Sequence, residues 1–287
     1  MKKIILESLK SWIDHRAASK GAALAFYTLF SMTPILMLAI AIAGYFFGMQ
    51  AAQGEIIGQI QGLVGPNGAQ AIQALLAAAR NPVSGLMATI SAVVLLVIGA
   101  SSAFAELKSS LDEIWGISRP GHSAFFTLLR ARFLSFSLVL VLAFLLLISL
   151  VFSAAIAMLE RYVGNIWSGS LIVLSGVSVL FSFGIIAILF AVIYKMLPDA
   201  PLSWRDVWIG ALITALLFSL GKYGIGLYLG NSGVASSFGA AGAMIALLLW
   251  VYYSAQIFFL GAEFTRQYAL MYGSLQARRD RSLQESN

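Results

Sequence analysis

One lysine interrupts a long apolar run, "LLFSLGKYGIGLYLG" at residues 216–230. A charge placed well inside a membrane-length helix is costly, and it marks a pathway, a partner or an escape to the interface. Three fates are open to Lys222. Its ammonium can snorkel outward along the helix. It can reach Glu160 or a backbone carbonyl across a helix interface. It can hold an anionic cargo group such as a lipid phosphate. Ser219, Gly226 and Gly230 share its helical face and leave room beside it.

A second set of polar residues gathers elsewhere. Tyr252, Gln256 and Glu263 stand four and seven residues apart, so a helix puts them on one stripe. Ser102 and Glu106 are one turn apart, as are Tyr27 and Ser31. Pro34 follows Ser31, cannot donate to the carbonyl of Phe30, and predicts a kink or hinge there. These side chains have two readings. They line a polar cavity open to the cytoplasm, or they are hydrogen-bonding glue between helices. The nearest basic residue to Glu263 on its own helix is Arg266, one turn on.

Catalytic chemistry finds little support. The two histidines, His15 and His122, have no second ligand at metal-binding spacing, and cysteine is absent. Asp112 and Glu113 are adjacent, so on a helix they point apart. We expect no metal site, no cofactor and no enzymatic activity, nuclease activity included.

The elements that position these residues follow from composition. Of 287 residues, 60% are hydrophobic and 10% charged, against about 25% charged in soluble domains. The mean hydropathy is +0.89. Runs such as "LVLVLAFLLLISLVFSAAIAML" at 138–159 exceed the roughly 20 residues that cross a bilayer. They lack the period-two alternation of a β-barrel. The expected fold is all-α: a polytopic membrane bundle with spans at about 22–48, 83–105, 133–160, 169–196, 207–229 and 239–262. Residues 1–270 form one membrane domain, and 271–287 a basic tail. Nothing in the first twenty residues has the uninterrupted apolar core of a cleaved signal peptide.

Charge fixes the expected orientation. Fifteen of the 18 basic residues fall in the N-terminal segment, the even-numbered loops and the tail. Arg80, Arg161 and Lys222 are the others. The positive-inside rule then puts both termini in the cytoplasm of an inner (plasma) membrane. The net charge of +6 is thereby a topology signal, and no nucleic-acid partner is needed. The expected partners are membrane lipids, with an anionic headgroup at Lys222 under the cargo reading. Residues 3–17 place Ile5, Leu9, Trp12, Ile13 and Ala17 on one face and Glu7, Lys10 and Asp14 away from it, as in a helix lying at the cytoplasmic interface. In the outer stretch 49–82, two helix-period segments flank Gly65-Pro66-Asn67-Gly68, which predicts an outer helical hairpin. Gly210, Gly221, Gly224, Gly226, Gly230, Gly239 and Ala243 predict close helix approach.

Three segments carry a resemblance: "LAFYTLFSMTPILMLAIAIAG" (24–44), "LPDAPLSWRDVWIGALITALLF" (197–218) and "SFGAAGAMIALLLWVYYSAQIFFLGAEFTRQYA" (237–269). "WGI" at 115–117 fits the same pattern. The chain resembles the YihY/BrkB family of bacterial inner-membrane proteins from residue 12 to 270. That resemblance implies six spans and cytoplasmic termini. Family members have carried the labels ribonuclease BN and virulence factor, and transport or envelope-lipid roles have been suggested for some. It brings no catalytic residues. The expected function is a transporter or lipid translocase of the cell envelope; the alternative is a structural or interaction protein of envelope biogenesis.

Overall fold

The computed structural model describes residues 2–79, 99, 102–117, 148, 156, 170–231 and 239–276. Every regular element among the described residues is helical. The principal helices are α1 (Lys2–Asp14), α2 (Ala17–Phe47), α3 (Met49–Ala79), α4 (Ser170–Met196), α5 (Trp204–Asn231) and α6 (Gly239–Tyr272). A further helical segment covers 102–114. Among the described residues, three stretches are long and apolar enough to cross a membrane: Val173–Met196, Trp204–Ile225 and Met244–Tyr272. They correspond to the fourth, fifth and sixth expected spans, and α2 covers the first. The expected spans at 83–105 and 133–160 lie almost wholly outside the described residues, as does the 232–238 connection.

The chain divides into two compact units. One comprises Met1–His15, Leu111–Leu217 and Leu260–Asn287, and the other Arg16–Ser110 and Phe218–Phe259.

In the second unit α2 and α3 pack on one another. The turn between them is a single residue, Gly48, with φ 84° and ψ 142°. A side chain is strongly disfavoured in that backbone region, so glycine is what permits the reversal. Gly44 clears space for it, because a Cβ there would strike the Met49 side chain. The core joins Ala25 and Ile40 of α2, Ile57, Ala69, Ile72 and Leu76 of α3, and Leu247 and Val251 of α6.

This corrects the expected hairpin. The reversal is at Gly48, and α3 continues as helix through Gly65-Pro66-Asn67-Gly68. Intrinsic preference opposes that by about 3 kcal/mol for Pro66 and about 1 kcal/mol for each glycine. Burial of Ile57, Ile72 and Leu76 contributes roughly 1.5–3 kcal/mol each. Those residues flank the turn-like tetrapeptide on both sides, so packing into one cluster outweighs the local signal. α2 is also helical across Pro34, and a continuous helix is compatible with the bend expected there.

In the first unit α1 ends at Asp14, and Arg16 takes left-handed values, φ 52° and ψ 42°. α1 is three-sided. Ile4 and Ser8 are buried, and the Ser8 hydroxyl donates to the Ile4 carbonyl at 2.7 Å. Ile5, Leu6, Leu9 and Ile13 form an exposed apolar stripe. Lys3, Glu7, Lys10 and Asp14 take the third side. The single apolar face expected for residues 3–17 is therefore divided. Ile5, Leu9 and Ile13 remain outside, Trp12 is half-buried, and Ala17 lies beyond the break, buried in α2.

The 102–114 segment stops in a Schellman turn. Gly116 adopts φ 63°, its N–H donates to the Glu113 carbonyl, and that of Ile117 to the Asp112 carbonyl, both at 2.9 Å. The 197–203 connection delivers α5, where the Ser203 hydroxyl oxygen accepts the Asp206 N–H at 3.2 Å as an N-terminal cap.

α5 and α6 are joined by reciprocal notches. Gly210 of α5 receives Thr265 of α6, and Gly261 of α6 receives Thr214 of α5 together with the Tyr194 hydroxyl of α4. Each threonine donates back to the carbonyl of the glycine four residues earlier, Thr214 to Gly210 at 2.7 Å and Thr265 to Gly261 at 2.6 Å. Two Gly-x-x-x-Thr patterns thus interlock, and the hydroxyls are satisfied without water. Buried Asp206 fastens the far end, accepting from the Ser274 N–H at 2.9 Å and its hydroxyl at 2.6 Å.

Candidate functional site

α6 carries two working faces. Tyr253, Ile257, Gly261 and Thr265, four residues apart, form the face that meets α5 at Gly221, Thr214 and Gly210. Tyr252, Gln256 and Glu263 form a second stripe roughly a third of a turn away.

Glu263 is fully buried, and its Oε1 lies 2.5 Å from Nδ1 of His15 at the end of α1. One turn on, Gln267 Nε2 donates to the Ser11 hydroxyl oxygen at 3.0 Å. Glu263 thus meets His15, while Arg266 reaches the Gly116 turn, where an added Cβ would lie 3.8 Å from its Nη2. Arg266 was expected because it is a local neighbour, whereas His15 is 248 residues away in sequence. The sequence carried no signal for His15, since residues 3–17 read as one continuous helix. Its chemistry needed a carboxylate that no spacing rule could supply.

In the other unit, Gln256 Nε2 donates to the Ala17 carbonyl at 3.4 Å, and Gly21 makes room for the Gln256 amide. Gln256 Oε1 is buried without a hydrogen-bond partner among the described residues. Tyr252 is half-buried against the α2–α3 core. Tyr27 is half-buried and meets Phe26 edge-on at 5.9 Å. Ser31 is buried and donates to the Thr28 carbonyl at 3.2 Å, while Gly99 approaches its Cβ. Ser102 and Glu106 are half-buried, and the Ser110 hydroxyl stands 3.5 Å from a Glu106 oxygen.

Lys222 belongs to neither group. It is half-buried on α5, its ammonium 5.7 Å from the Tyr223 ring centroid. Tyr223, Leu227 and Tyr228 beside it are exposed. Glu160 lies outside the described residues. No metal-binding trio of His, Cys, Asp or Glu exists among the described residues.

A family model described as virulence factor BrkB matches residues 8–285. The chain belongs to this family. A UPF0761 membrane protein of Ralstonia nicotianae is 29% identical over 244 residues, which are 84% of this chain and 53% of that protein. One from Verminephrobacter eiseniae is 28% identical over 260 residues, 88% of this chain and 58% of its own. One from Pseudoalteromonas translucida is 24% identical over 269 residues, covering 91% and 84%. The chain spans little more than half the length of the first two. No solved structure matches. With three membrane-length apolar helices among the described residues and relatives named as membrane proteins, this member of the BrkB family is an integral membrane protein.

Proposed function

We propose that this BrkB-family chain is a multi-pass inner-membrane transporter or lipid translocase of the cell envelope, with both termini in the cytoplasm and no enzymatic activity. The observation that carries the reading is Glu263. It is a fully buried carboxylate on a helix apolar enough to span a membrane, and it meets a histidine that follows the end of α1. Ionisable groups buried on apolar helices of this kind are expensive and are characteristically retained on transport pathways and proton relays. Lys222 is the proposed contact for an anionic lipid headgroup. It sits beside exposed tyrosines, the residue type enriched where headgroups begin.

Reconstituted proteoliposomes test this. Lys222→Met should leave a folded protein that no longer moves a labelled anionic lipid or solute, and Lys222→Arg should recover part of the activity. Full activity in Lys222→Met would remove the headgroup role. Orientation is tested by reporter fusions at Ser110 and Ser282, both expected to read cytoplasm.

The interlocked Gly–Thr seam favours a second reading. Close packing of α5 on α6 and the use of Gln256 and Glu263 in interhelical contacts equally suit a rigid envelope scaffold. Stable co-purification with an assembly complex, together with no flux, would favour that reading.

A further inference from the structure

We infer that the turn between α4 and α5 is a binding site for one anionic phospholipid, with the phosphate at Lys195 and Arg205 and the acyl chains along an exposed face of α5. The turn stands where two membrane-length apolar stretches meet, Val173–Met196 and Trp204–Ile225. Its level is therefore that of lipid headgroups, whichever leaflet faces it. Lys222 takes no part in this site, which stands apart from the transport reading.

The first cation is set in place by its own turn. Lys195 lies in the last turn of α4, and its Nζ donates to the Leu202 carbonyl. The same ammonium lies 5.8 Å from the centroid of the Trp204 ring. Leu197 and Leu202 are buried, which fixes the two ends of the connection. A lysine at a membrane edge commonly stretches toward water. This one is folded over a ring, with one of its three N–H donors used and the others left for an oxyanion. Arg205, next to Trp204, is exposed. Neither cation pairs with a carboxylate among the described residues. Asp206 is buried and accepts from Ser274, and Asp199 is exposed, its N–H donating to Asp112 Oδ1 at 3.1 Å. Two cations at headgroup level without an ion-pair partner favour a headgroup of net negative charge.

The apolar part follows on α5. Trp204, Trp208, Leu212 and Leu216 recur every four residues in one slanting row, and all four are exposed. The row is about 18 Å long at 1.5 Å per residue, close to the roughly 15 Å of hydrocarbon in one leaflet. Tryptophans at its start and leucines beyond follow the order in which a lipid presents its glycerol region and then its chains. A soluble phosphate ester would use the cations and leave this row bare, whereas a phospholipid uses both.

Contact of brominated lipids with the tryptophans of the full chain tests this without measuring transport. The purified protein is placed in phosphatidylcholine nanodiscs in which part of the lipid is brominated phosphatidylglycerol or brominated phosphatidylcholine. Bromine quenches tryptophan only at short range, and the signal of the site is the quenching lost when Trp204→Phe/Trp208→Phe is added. Half-maximal quenching of that signal should need at least about fivefold less brominated phosphatidylglycerol than brominated phosphatidylcholine, the enrichment that about one surface cation gives. Lys195→Gln/Arg205→Gln should remove the preference and leave quenching by brominated phosphatidylcholine unchanged, which a collapsed turn would not do. Arg205→Gln alone, at an exposed side chain, should lower the preference at least about twofold. Lys195→Arg, and Lys10→Gln at an exposed cation of α1, should keep it. Equal quenching by the two lipids in the wild type would overturn the inference. So would a preference that survives in Lys195→Gln/Arg205→Gln or vanishes in Lys195→Arg or Lys10→Gln. Erasure of the preference by millimolar glycerol phosphate would assign the cations to a soluble ester and overturn the lipid. Far-UV circular dichroism checks that each variant keeps its helices.

Discussion

Gly261→Ala should be among the most damaging single-methyl additions in this chain. A Cβ at that position would fall 2.6 Å from the Tyr194 hydroxyl and 2.8 Å from Thr214 Cγ2, with Thr214 Oγ1 closer still. None of these can retreat freely. Thr214 is fully buried and bonded to the Gly210 carbonyl, and Tyr194 is fully buried and bonded to Thr214 at 3.2 Å. Overpacking a rigid contact costs about 1–3 kcal/mol. Loss of the Tyr194–Thr214 hydrogen bond adds about 1 kcal/mol. Alanine's better helix propensity offsets about 1 kcal/mol. The net expectation is about 1–3 kcal/mol of destabilisation. Tryptophan fluorescence during unfolding in mixed micelles reads it. Thr214→Ala removes two of the three obstructing atoms and should recover at least half of the loss in the double variant. Gly224→Ala is the control, because a Cβ there meets nothing within 4 Å. It should be neutral or slightly stabilising. If Gly261→Ala behaves like Gly224→Ala, or Thr214→Ala gives no relief, the interlocked seam is wrong.

Other consequences are as direct. Pro66→Ala should stabilise the protein by up to about 3 kcal/mol, because α3 is continuous there; a loss of stability would restore a turn at 65–68. Asp206→Ala should cost about 2 kcal/mol by releasing the Ser274 N–H and hydroxyl. It should also speed tryptic cleavage after Arg266, and unchanged cleavage would contradict the clamp. Purified protein should not degrade RNA with any divalent metal, and activity that tracks the pure protein and vanishes in Asp112→Ala or Glu113→Ala would refute the non-enzymatic reading.

Much of the helical layout was legible because apolar length is a one-dimensional signal. The α4, α5 and α6 boundaries fall close to the expected spans, and α6 extends ten residues beyond its expected end at 262 because Thr265, Ala269 and their neighbours remain buried. The Tyr252–Gln256–Glu263 stripe was equally visible, since it needs only helical periodicity. What faced the stripe was not. His15 meets Glu263 through a fold that brings the two ends of the chain together, and no local rule predicts that. The hairpin was misplaced for a related reason. Gly65-Pro66-Asn67-Gly68 has four turn-forming residues and Gly48 stands alone, yet tertiary burial on both sides of the tetrapeptide kept it helical. Among the glycines, sequence could not separate Gly210, Gly221 and Gly261, which face side chains, from Gly224, which faces none.

The central claim is that this membrane protein carries an anionic group across or out of the bilayer. The most direct measurement is transbilayer movement of a fluorescent anionic phospholipid in proteoliposomes holding only the purified chain, followed by quenching of outward-facing label. Movement faster than in protein-free vesicles, proportional to protein, lost in Lys222→Met and partly restored in Lys222→Arg, is the predicted result. A rate equal to that of protein-free vesicles for labelled lipids and solutes alike, with the protein folded and correctly oriented, would contradict the claim and leave the scaffold reading.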